Sequence, residues 1–349
     1  MRSMKLAIIG VGAVGSYIGA YLTKEGFDIT LIDMWGNHVE SMNENGLSVS
    51  GSQGDFMTPV EAYHFSDAMQ LRNEFDVIFL SVKSYDTEWS SHFAKRFLAK
   101  NGVVISAQNC MNDRLIGSIV GFERVIGCVM SGITVSLWEP GHVNRGGEPG
   151  QNRGHFVFRV GELFGQITPR VDEISQLLSC IDLSRSTSNI WGERWAKLTM
   201  NAASNPLTAM TGLGSLGLSE LSEARKIQIK LMKESCEVGL FQNYSIEPIK
   251  GIGSEIWVKA DTGDVFERLE EKFLPVAGSN DWQSSMAQDV TKGRITEIGF
   301  MNGYIAAQGK LVGVATPFHN AVTQIVEEID NGTRSTDVEN IDDVIQMTS

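Results

Sequence analysis

The sequence predicts an α/β domain built on a parallel sheet, followed by an all-helical domain. Its 349 residues are enough for about two domains at roughly 100–200 residues each. The first half alternates short apolar runs with helical patterns, whereas nearly all of the second half reads as helical. Strands that alternate with helices are typical of a parallel sheet with right-handed crossovers.

Four short runs rich in Ile, Val, Leu and Phe are the predicted strands of this sheet. They cover residues 5–9, 28–32, 76–80 and 103–107. Amphipathic segments between or after them predict helices over 14–24, 87–98 and 112–120. Their order along the chain gives the strand–helix–strand units from which such a sheet is built.

The pattern changes after residue 125. From 125 to 158, β-rich pieces surround the turn pairs Pro140-Gly141, Gly146-Gly147 and Pro149-Gly150, which predicts hairpins appended to the edge of the sheet. The polar stretch 182–189 is a predicted linker. Helical patterns then cover 191–205, 219–241, 284–291, 297–311 and 318–329. The predicted organisation is a sheet domain with hairpins over 1–187, a helical domain over 188–330, and an acidic, loose or weakly helical tail over 331–349.

Composition and charge exclude several classes of protein. The 29 Lys and Arg residues against 42 Asp and Glu give a net charge of 29 − 42 = −13. The pI near 5.0 excludes the basic footprint of a nucleic-acid-binding or membrane-surface protein. No run of 18 apolar residues is present, so we expect no spanning helix. The four cysteines are far apart, as in reduced cytoplasmic proteins, and the six histidines show no metal-binding spacing.

A glycine-rich turn follows the first predicted strand directly and opens the first predicted helix. It reads Gly10-Val11-Gly12-Ala13-Val14-Gly15. In a G-x-G-x-x-G turn the first glycine bends the chain, the second admits a pyrophosphate, and the third lets the helix pack against the strand. The helix N-terminus, with Ala13 and Val14, adds N–H donors and a positive dipole. The turn therefore predicts a Rossmann-type dinucleotide site; a glycine turn without a ligand is the alternative.

Asp33 follows the second predicted strand, 33 − 10 = 23 residues after Gly10. An acid near an offset of about 20 accepts hydrogen bonds from ribose hydroxyls and repels a 2′-phosphate. Arg72 is the only Arg or Lys between Asp33 and Lys83, so a cation for that phosphate is scarce. The sequence therefore predicts NAD as cofactor, with NADH preferred over NADPH. An ordinary surface acid is the alternative role for Asp33.

A lysine and two asparagines share one face of the first helix in the second half. Lys197, Asn201 and Asn205 stand at i, i+4 and i+8, among apolar neighbours. Such a stripe predicts a polar pocket, in which a partly desolvated lysine could give a proton to a developing alkoxide. A solvated polar face has the same spacing, and the spacing does not separate the two interpretations.

Motifs in both halves resemble those of the ketopantoate reductase family, the 2-dehydropantoate 2-reductases, from Lys5 to about Glu328. Besides the glycine-rich turn they are Ser81-Val82-Lys83-Ser84-Tyr85, Gln108-Asn109, Pro140-Gly141-His142-Val143, Trp195-x-Lys197-Leu198-x-x-Asn201-x-x-x-Asn205-Pro206-Leu207-Thr208-Ala209, Ser284-Ser285-Met286-x-Gln288-Asp289, Thr296-Glu297-Ile298 and Asn302-Gly303. Several motifs in the order of the family are more specific than any one of them.

The resemblance implies hydride transfer between NAD(H) and a short 2-oxo or 2-hydroxy acid, ketopantoate to pantoate or a close analogue, within pantothenate biosynthesis. Lys197 matches the family's catalytic lysine, which protonates the C2 carbonyl oxygen. Glu297 matches the acidic partner in the same site. From the residues alone, Glu297 could equally be an exposed helix acid.

The resemblance also implies the binding residues. Those that match substrate contacts are Asn109, Asn201, Asn205 and Ser285, and those that match residues near the nicotinamide are Lys83 and Asn109. Ser285 could also be a helix N-cap, because Gln288 follows three residues later. Helical second domains of this kind commonly pair, which predicts a homodimer that acts on a small-molecule substrate.

The chain departs from the family pattern at three places. Asp33-Met34-Trp35 stands where the family often has an arginine for the NADP phosphate. Cys110-Met111-Asn112-Asp113 replaces a loop that is usually glycine-rich, and Gly299 replaces a common Asp. The first departure favours NAD, and the others leave room for a short 2-oxo acid other than ketopantoate.

Two other functions and one residue role stay open. A 3-hydroxyacid dehydrogenase shares the general plan and a Lys-x-x-x-Asn helix, and a non-catalytic NAD-sensing protein would keep the glycine-rich turn. The presence of both Lys197 and Glu297 argues against a non-catalytic NAD-sensing protein. Cys110 could be a nucleophile or a structural thiol, and no histidine lies near it in sequence.

Overall fold

The computed structural model describes residues 4–72, 74–275 and 281–349 and divides the chain into two compact units. The first unit extends to Ile190, and the second begins at Trp191. An α/β unit followed by a helical unit confirms the predicted fold class.

The elements of the first unit alternate strands and helices. Its strands are β1 (Lys5–Ile9), β2 (Asp28–Asp33), β3 (Leu47–Gly51), β4 (Phe56–Thr58), β5 (Glu61–His64), β6 (Phe75–Leu80), β7 (Leu98–Ser106), β8 (Val125–Met130), β9 (Thr134–Glu139), β10 (His142–Gly146), β11 (Phe158–Glu162) and β12 (Ser184–Ser186). Its helices are α1 (Ala13–Lys24), α2 (Gly36–Asn45), α3 (Phe65–Ala68), α4 (Thr87–Phe97), α5 (Asp113–Val120), α6 (Gly150–Arg153) and α7 (Pro169–Leu178).

Within the described residues, eight strands form the main sheet in the order β12-β11-β8-β7-β6-β1-β2-β5. The strands from β8 to β5 run parallel, and β11 pairs antiparallel with β8. β1 pairs with β2 on one side and with β6 on the other. Strands are therefore added first to one side of β1 and then to the other, so the direction of strand order reverses at β1. Ligands of open α/β sheets bind at the carboxyl ends of the strands beside such a reversal. The four predicted strands are confirmed as β1, β2, β6 and β7.

A second, smaller sheet covers helix α1. Its strand order is β4-β3-β10-β9, so the hairpin around Pro140-Gly141 joins β3 and β4. The prediction that this hairpin extends the edge of the main sheet is therefore wrong. The physical reason is α1, whose residues 15–22 are all buried. A helix that is apolar on every side must be covered on both faces. The main sheet covers one face of α1, and the small sheet covers the other.

A buried polar cluster joins the small sheet to the edge of the main sheet. Arg145 on β10 is 1% exposed and forms an ion pair with the fully buried Asp182 at 2.5 Å. Arg145 also donates to the Tyr17 hydroxyl of α1 at 2.5 Å and to Gln53. Burial alone would raise the pKa of Asp182, but the bonds from Arg145 and from backbone amides lower it. The stretch 182–189 therefore contains a buried anchor and strand β12, and the prediction of a polar linker there is wrong.

The second unit is helical. Its helices are α8 (Ile190–Thr211), α9 (Ser215–Glu220), α10 (Ser222–Phe241), α11 (Ser254–Trp257), α12 (Val265–Glu270), α13 (Ser285–Thr291), α14 (Ile298–Val312), α15 (Pro317–Asp330) and α16 (Asn340–Thr348). Helices α8 and α10 approach closely at Gly239, where a Cβ would lie 2.3 Å from Trp195 Nε1. Trp195 Nε1 donates to the Ser235 carbonyl at 2.9 Å, so α8 is fixed on α10 just before Lys197.

The acidic segment 331–349, predicted to be loose or weakly helical, contains helix α16 and is attached to the rest of the second unit. Arg334 forms ion pairs with Glu328 of α15 and Asp343 of α16, and Asn340 Nδ2 donates to the Met210 carbonyl at 2.8 Å. Ile341 and Val344 are buried. These apolar residues stand three apart, so one face of α16 packs on the unit while the acids remain outside.

Candidate active site

The glycine-rich turn connects β1 to α1 at the carboxyl edge of the main sheet. Gly10 has φ +87°, and a Cβ there would lie 2.7 Å from the Val82 backbone nitrogen. A Cβ at Gly15 would lie 2.3 Å from the Gly10 carbonyl oxygen. Both positions require glycine, the first for a left-handed turn against the end of β6 and the second for a close approach of α1.

Gly12 has a different environment. Apart from its two chain neighbours, no atom of the described residues lies within 4 Å of a Cβ built there. Gly12 is the N-cap of α1, and no described side chain caps the helix start, which includes Ala13 and Val14. Packing therefore does not explain this glycine, whereas close approach of a phosphate to the first-turn amides would. The turn fits the pyrophosphate of a dinucleotide.

Asp33 is the last residue of β2, and its carboxylate holds the glycine-rich turn. Oδ2 accepts from Val11 N–H at 2.5 Å, and Oδ1 accepts from Trp35 N–H at 2.8 Å. An ionised carboxylate has about four acceptor sites, so two backbone amides leave capacity for ribose hydroxyls. The half-buried side chain is thus fixed beside the predicted phosphate site.

His38 of α2 lies buried against the same turn, although no sequence pattern marked it. Its Nε2 lies 2.9 Å from the Val11 carbonyl oxygen, and its Nδ1 accepts from Gly141 N–H at 2.8 Å. Because Nδ1 accepts, the neutral ring carries its proton on Nε2, which donates to Val11. Burial lowers the pKa of His38, which favours this neutral form. The partners lie 27 and 103 residues away along the chain, beyond any local spacing rule.

Lys83 and Asn109 follow β6 and β7 at the same edge, and both side chains are half-buried. The two loops are joined by Asn112, whose Nδ2 donates at 3.0 Å to the Asn109 carbonyl and at 3.0 Å to Ser84 Oγ. The structure thus brings the predicted Lys83 and Asn109 onto neighbouring loops. Asn112 is buried and was noted in the sequence only as a departure from the family.

Gln108 supplies a second connection between these loops. Its Nε2 donates to the Val82 carbonyl at 3.0 Å and to Thr87 Oγ1 at 2.8 Å. Ser81 Oγ in turn donates to the Gly10 carbonyl at 2.6 Å. The ends of β1, β6 and β7 therefore form one hydrogen-bonded edge. The Gln108-Asn109 and Ser81-Val82-Lys83 motifs pointed to this edge of the sheet. The hydrogen bonds that Gln108 and Ser81 form were not predicted from the sequence.

Cys110 has φ +65°, a conformation that side chains other than glycine seldom adopt. The loop thus keeps the backbone conformation of a glycine at this position. The Cys110 side chain is buried, and none of the four cysteines forms a disulfide. Within residues 4–72, 74–275 and 281–349, no cluster of His, Cys, Asp and Glu could hold a metal ion.

In the second unit, helix α8 carries the predicted stripe. Lys197 is half-buried, and Asn201 and Asn205 are 8% and 5% exposed. Two buried amides on one face disagree with a solvated polar surface, because buried polar groups require partners. The stripe lines a polar interior surface of the helical unit.

Asn205 is the point where three elements of the second unit meet. Its carbonyl accepts from Thr208 Oγ1 at 2.9 Å, and Thr208 Oγ1 lies 2.6 Å from Ser284 Oγ at the start of α13. Its Nδ2 lies 4.0 Å from the Met301 sulfur on α14. Asn205 therefore brings the starts of α13 and α14 to the lysine-bearing face of α8.

The N-cap of α13 is Ser284, whose Oγ accepts from Ala287 N–H at 3.1 Å. The alternative of an N-cap at Ser285 is therefore wrong by one residue. Ser285 is the first helical residue, and its side chain is exposed. With the capping role taken by Ser284, Ser285 is the residue that directly follows the serine bound to Thr208.

Glu297 immediately precedes α14 and is 5% exposed. The alternative of an exposed helix acid is therefore wrong. Met301, which contacts Asn205, follows Glu297 by four residues, or about one helical turn on the same face. The buried carboxyl group thus belongs to the end of α14 that packs beside the asparagine stripe.

Comparisons with known proteins bear on both units. The family model described as ketopantoate reductase PanE/ApbA matches residues 6–155, and the model of its C-terminal domain matches residues 189–330. The chain belongs to the ketopantoate reductase family. As a member, it is an NAD(P)-dependent oxidoreductase of the ketopantoate reductase type.

Curated relatives of this ketopantoate reductase family member carry the name 2-dehydropantoate 2-reductase. The protein of Pyrococcus horikoshii is 29% identical over 329 residues, which cover 93% of this chain and 97% of the relative. That of Archaeoglobus fulgidus is 26% identical and covers 95% and 100%. The similarity therefore spans both units.

Solved structures share the fold. A PanE/ApbA family ketopantoate reductase from Ralstonia eutropha has a TM-score of 0.76 at 25% identity, with 95% of this chain and 100% of the other covered. D-mandelate dehydrogenase, solved with NADH and anilino(oxo)acetate, has a TM-score of 0.78 at 23% identity and covers 95% and 99%. A dimeric ketopantoate reductase from Staphylococcus aureus has a TM-score of 0.70 at 18% identity and covers 95% and 100%.

No helix among residues 4–72, 74–275 and 281–349 has both the length and the apolar character that crossing a membrane requires.

Proposed function

We propose that this chain reduces the C2 carbonyl of a short 2-oxo acid with NADH, and that the substrate is ketopantoate or a close analogue. The observation that carries the proposal is the face of α8, where half-buried Lys197 is aligned with buried Asn201 and Asn205. Family membership supplies the reaction class, and this face supplies the residues that would perform it.

Lys197 is the proposed general acid. Its ammonium group would polarise the C2 carbonyl oxygen and give it a proton as the alkoxide forms. When bound, NADH supplies the hydride that reaches C2. A cation at the forming alkoxide lowers the energy of the transition state more than that of the ground state, because the negative charge on oxygen grows along the reaction.

Glu297 and the two asparagines are the proposed supports of this lysine and of the substrate. The buried carboxyl of Glu297 would accept a hydrogen bond within the site, and Asn201 and Asn205 would orient the substrate oxygens. Ser285, exposed and directly after Ser284 in the chain, would donate from its hydroxyl to the substrate carboxylate. Rigid helices carry these groups, so their spacing is preset.

NADH is the proposed cofactor in preference to NADPH. The turn at Gly10, Gly12 and Gly15 would hold the pyrophosphate, with the first-turn amides of α1 as donors. Asp33 would accept from the ribose hydroxyls and repel a 2′-phosphate. Its carboxylate is held by two backbone amides, and no arginine follows β2 to neutralise such a phosphate.

Lys83 and Asn109 are proposed to contact the nicotinamide and the substrate from the loops after β6 and β7. Cys110 and Asn112 stand beside Asn109 where glycines are usual in the family. Their side chains alter the shape of this edge, which supports a close analogue of ketopantoate as well as ketopantoate itself.

Assembly and location are further proposals. The helical second unit and the dimeric relative from Staphylococcus aureus support a homodimer. Four cysteines that are dispersed along the chain and form no disulfide support a cytoplasmic location. Sedimentation analysis of the purified chain would test the dimer.

The decisive experiment is a panel of 2-oxo acids, ketopantoate and the 2-oxo acid of mandelate included, each assayed with NADH and with NADPH by the loss of reduced-cofactor absorbance. We expect turnover with NADH and a branched aliphatic 2-oxo acid. Absence of turnover with every acid, together with tight NADH binding, would instead support the NAD-sensing alternative and contradict the proposal.

A further inference from the structure

We infer that His38 is a positioning residue for the dinucleotide, acting through the Val11 carbonyl to hold the glycine-rich turn in the conformation that receives the phosphates. The inference rests on the proposed function, since it supposes that a dinucleotide binds at this turn. His38 itself is fully buried and belongs to α2, outside the turn.

The peptide groups of Val11 are held on both sides. Its N–H donates to Asp33 Oδ2, and its carbonyl accepts from His38 Nε2 at 2.9 Å and from Ser16 Oγ at 2.9 Å. Val11 lies between Gly10 and Gly12, which have little conformational preference of their own. The turn therefore depends on these outside contacts for its shape, and two of the three come from buried side chains.

His38 is itself fixed by the small sheet. Its Nδ1 accepts from Gly141 N–H in the turn between β9 and β10. Gly141 has φ +74°, and a Cβ there would lie 2.4 Å from Ser41 Oγ, so α2 and this turn are in close contact. The indole of Trp35 stacks on the imidazole, with ring centroids 5.2 Å apart. The hairpin that covers α1 is thereby connected to the cofactor turn.

The two nitrogens of His38 have separable tasks, which distinguishes positioning from simple packing. Only the Nε2–H donor acts on Val11, whereas the Nδ1 acceptor acts on the hairpin. Asparagine can place an acceptor near Nδ1 but has no donor near Nε2, and glutamine does the reverse. The variants His38→Asn and His38→Gln are therefore a matched pair. The first removes the Nε2 contacts, with the Val11 carbonyl and with Ser16 Oγ at 3.2 Å, and the second removes the Nδ1 contact with Gly141.

The experiment titrates wild type and both variants with NADH and NADPH by fluorescence and records Tm and kcat for each. We expect His38→Asn to raise the dissociation constant of the preferred dinucleotide about five- to tenfold, the ratio expected for one lost hydrogen bond. His38→Gln should stay within about twofold, and kcat at saturating cofactor should be unchanged in both. Ser41→Ala, which removes only the bond to the Pro140 carbonyl, is the control.

The outcomes separate the inference from the proposed function. Equal affinities in the two variants, or losses that merely follow the fall in Tm, would overturn the role of His38 while the dinucleotide site stands. A wild-type chain that binds neither dinucleotide would overturn both. If a variant does not fold, ¹⁵N NMR of the wild-type imidazole decides: a proton on Nε2 is expected, and a proton on Nδ1 would contradict the contact with Val11.

Discussion

The side-chain amide of Asn302 donates to the backbone carbonyl of Ala202 at 2.9 Å and replaces a hydrogen bond that helix α8 lacks. Four residues after Ala202 stands Pro206, inside the helix, and proline has no N–H to give. Asn302 is fully buried, and its Nδ2 also lies 3.1 Å from His319 Nδ1. The helix that carries Lys197 thus continues through a proline because α14 supplies the missing donor.

Asn302→Ala should lower the free energy of unfolding by about 2–4 kcal/mol, because two buried acceptors lose their donor. Urea denaturation followed by circular dichroism measures this change. Asn320→Ala, an exposed asparagine on α15, is the control and should change stability by no more than about 0.5 kcal/mol.

A double-mutant cycle with Pro206→Ala tests the proposed cause. In that background residue 206 has an N–H for the Ala202 carbonyl, so Asn302→Ala should cost about 1 kcal/mol less than in wild type. If Asn302→Ala lowered the free energy of unfolding equally in the two backgrounds, its effect would not come from the lost hydrogen bond to the Ala202 carbonyl.

Pro206 also explains why the helix predicted from the sequence is shorter than α8. The predicted helix ended at residue 205, directly before a proline, a residue that normally breaks a helix, yet α8 runs to Thr211. The compensating donor lies 100 residues away along the chain. No local pattern contains that information, whereas β1, framed by its apolar run and the glycine turn, was predicted with its observed bounds.

Residues of the candidate site were likewise predicted where their roles depend on local spacing, and missed where their partners are distant in sequence. Gly10, Gly15 and Asp33 were predicted because their roles depend on short-range spacing along a strand–turn–helix unit. His38 and Gln108 were missed as site residues because their partners come from other strands and loops. The sequence therefore predicts the residues proposed to contact ligands better than the residues that hold those residues in place.

Glu234 should make the stability of the second unit depend on pH. Burial raises its pKa to about 7, although Phe318 and His319 N–H groups donate to its oxygens at 3.0 and 3.1 Å. A carboxyl whose pKa is higher in the folded than in the unfolded chain, where it is near 4.5, stabilises the fold fully below that lower value and loses this contribution as pH rises through about 7.

Glu234→Gln should remove that pH dependence. The difference in free energy of unfolding between wild type and Glu234→Gln should therefore move in favour of wild type as the pH falls from about 7 to about 4.5. Burial lowers the pKa of the neighbouring His319 to about 3, and its own titration is present in both proteins and cancels. A difference that does not vary with pH would place the pKa of Glu234 near its ordinary value.

The buried pair of Arg145 and Asp182 should be costly to break. Asp182→Ala leaves the guanidinium buried without its anion, so we expect a loss of about 3–5 kcal/mol in the free energy of unfolding. The exposed pair of Lys226 and Glu223 is the control, and Lys226→Ala should cost less than about 1 kcal/mol. Comparable losses in the two variants would contradict the importance of burial.

Asp33 should set the choice between the two dinucleotides. Asp33→Asn removes the negative charge but keeps an oxygen that can accept from a backbone amide. The ratio of the NADPH to the NADH dissociation constant should therefore fall about tenfold, equivalent to about 1.4 kcal/mol. Asp28→Asn, at the exposed opposite end of β2, should leave the ratio unchanged. A wild-type preference for NADPH would contradict the argument at once.

Lys197 should contribute to the transition state and little to cofactor binding. Lys197→Ala should lower kcat/KM about 10²–10⁴-fold, the usual contribution of a general acid, while the NADH dissociation constant stays within about twofold. Lys197→Arg keeps the positive charge but does not release a proton near neutral pH, so its activity should lie between those of wild type and Lys197→Ala. Stopped-flow and steady-state rates with the best acid of the substrate panel measure all three. If Lys197→Arg matched wild type, charge alone would suffice and the proton would have to come from another group.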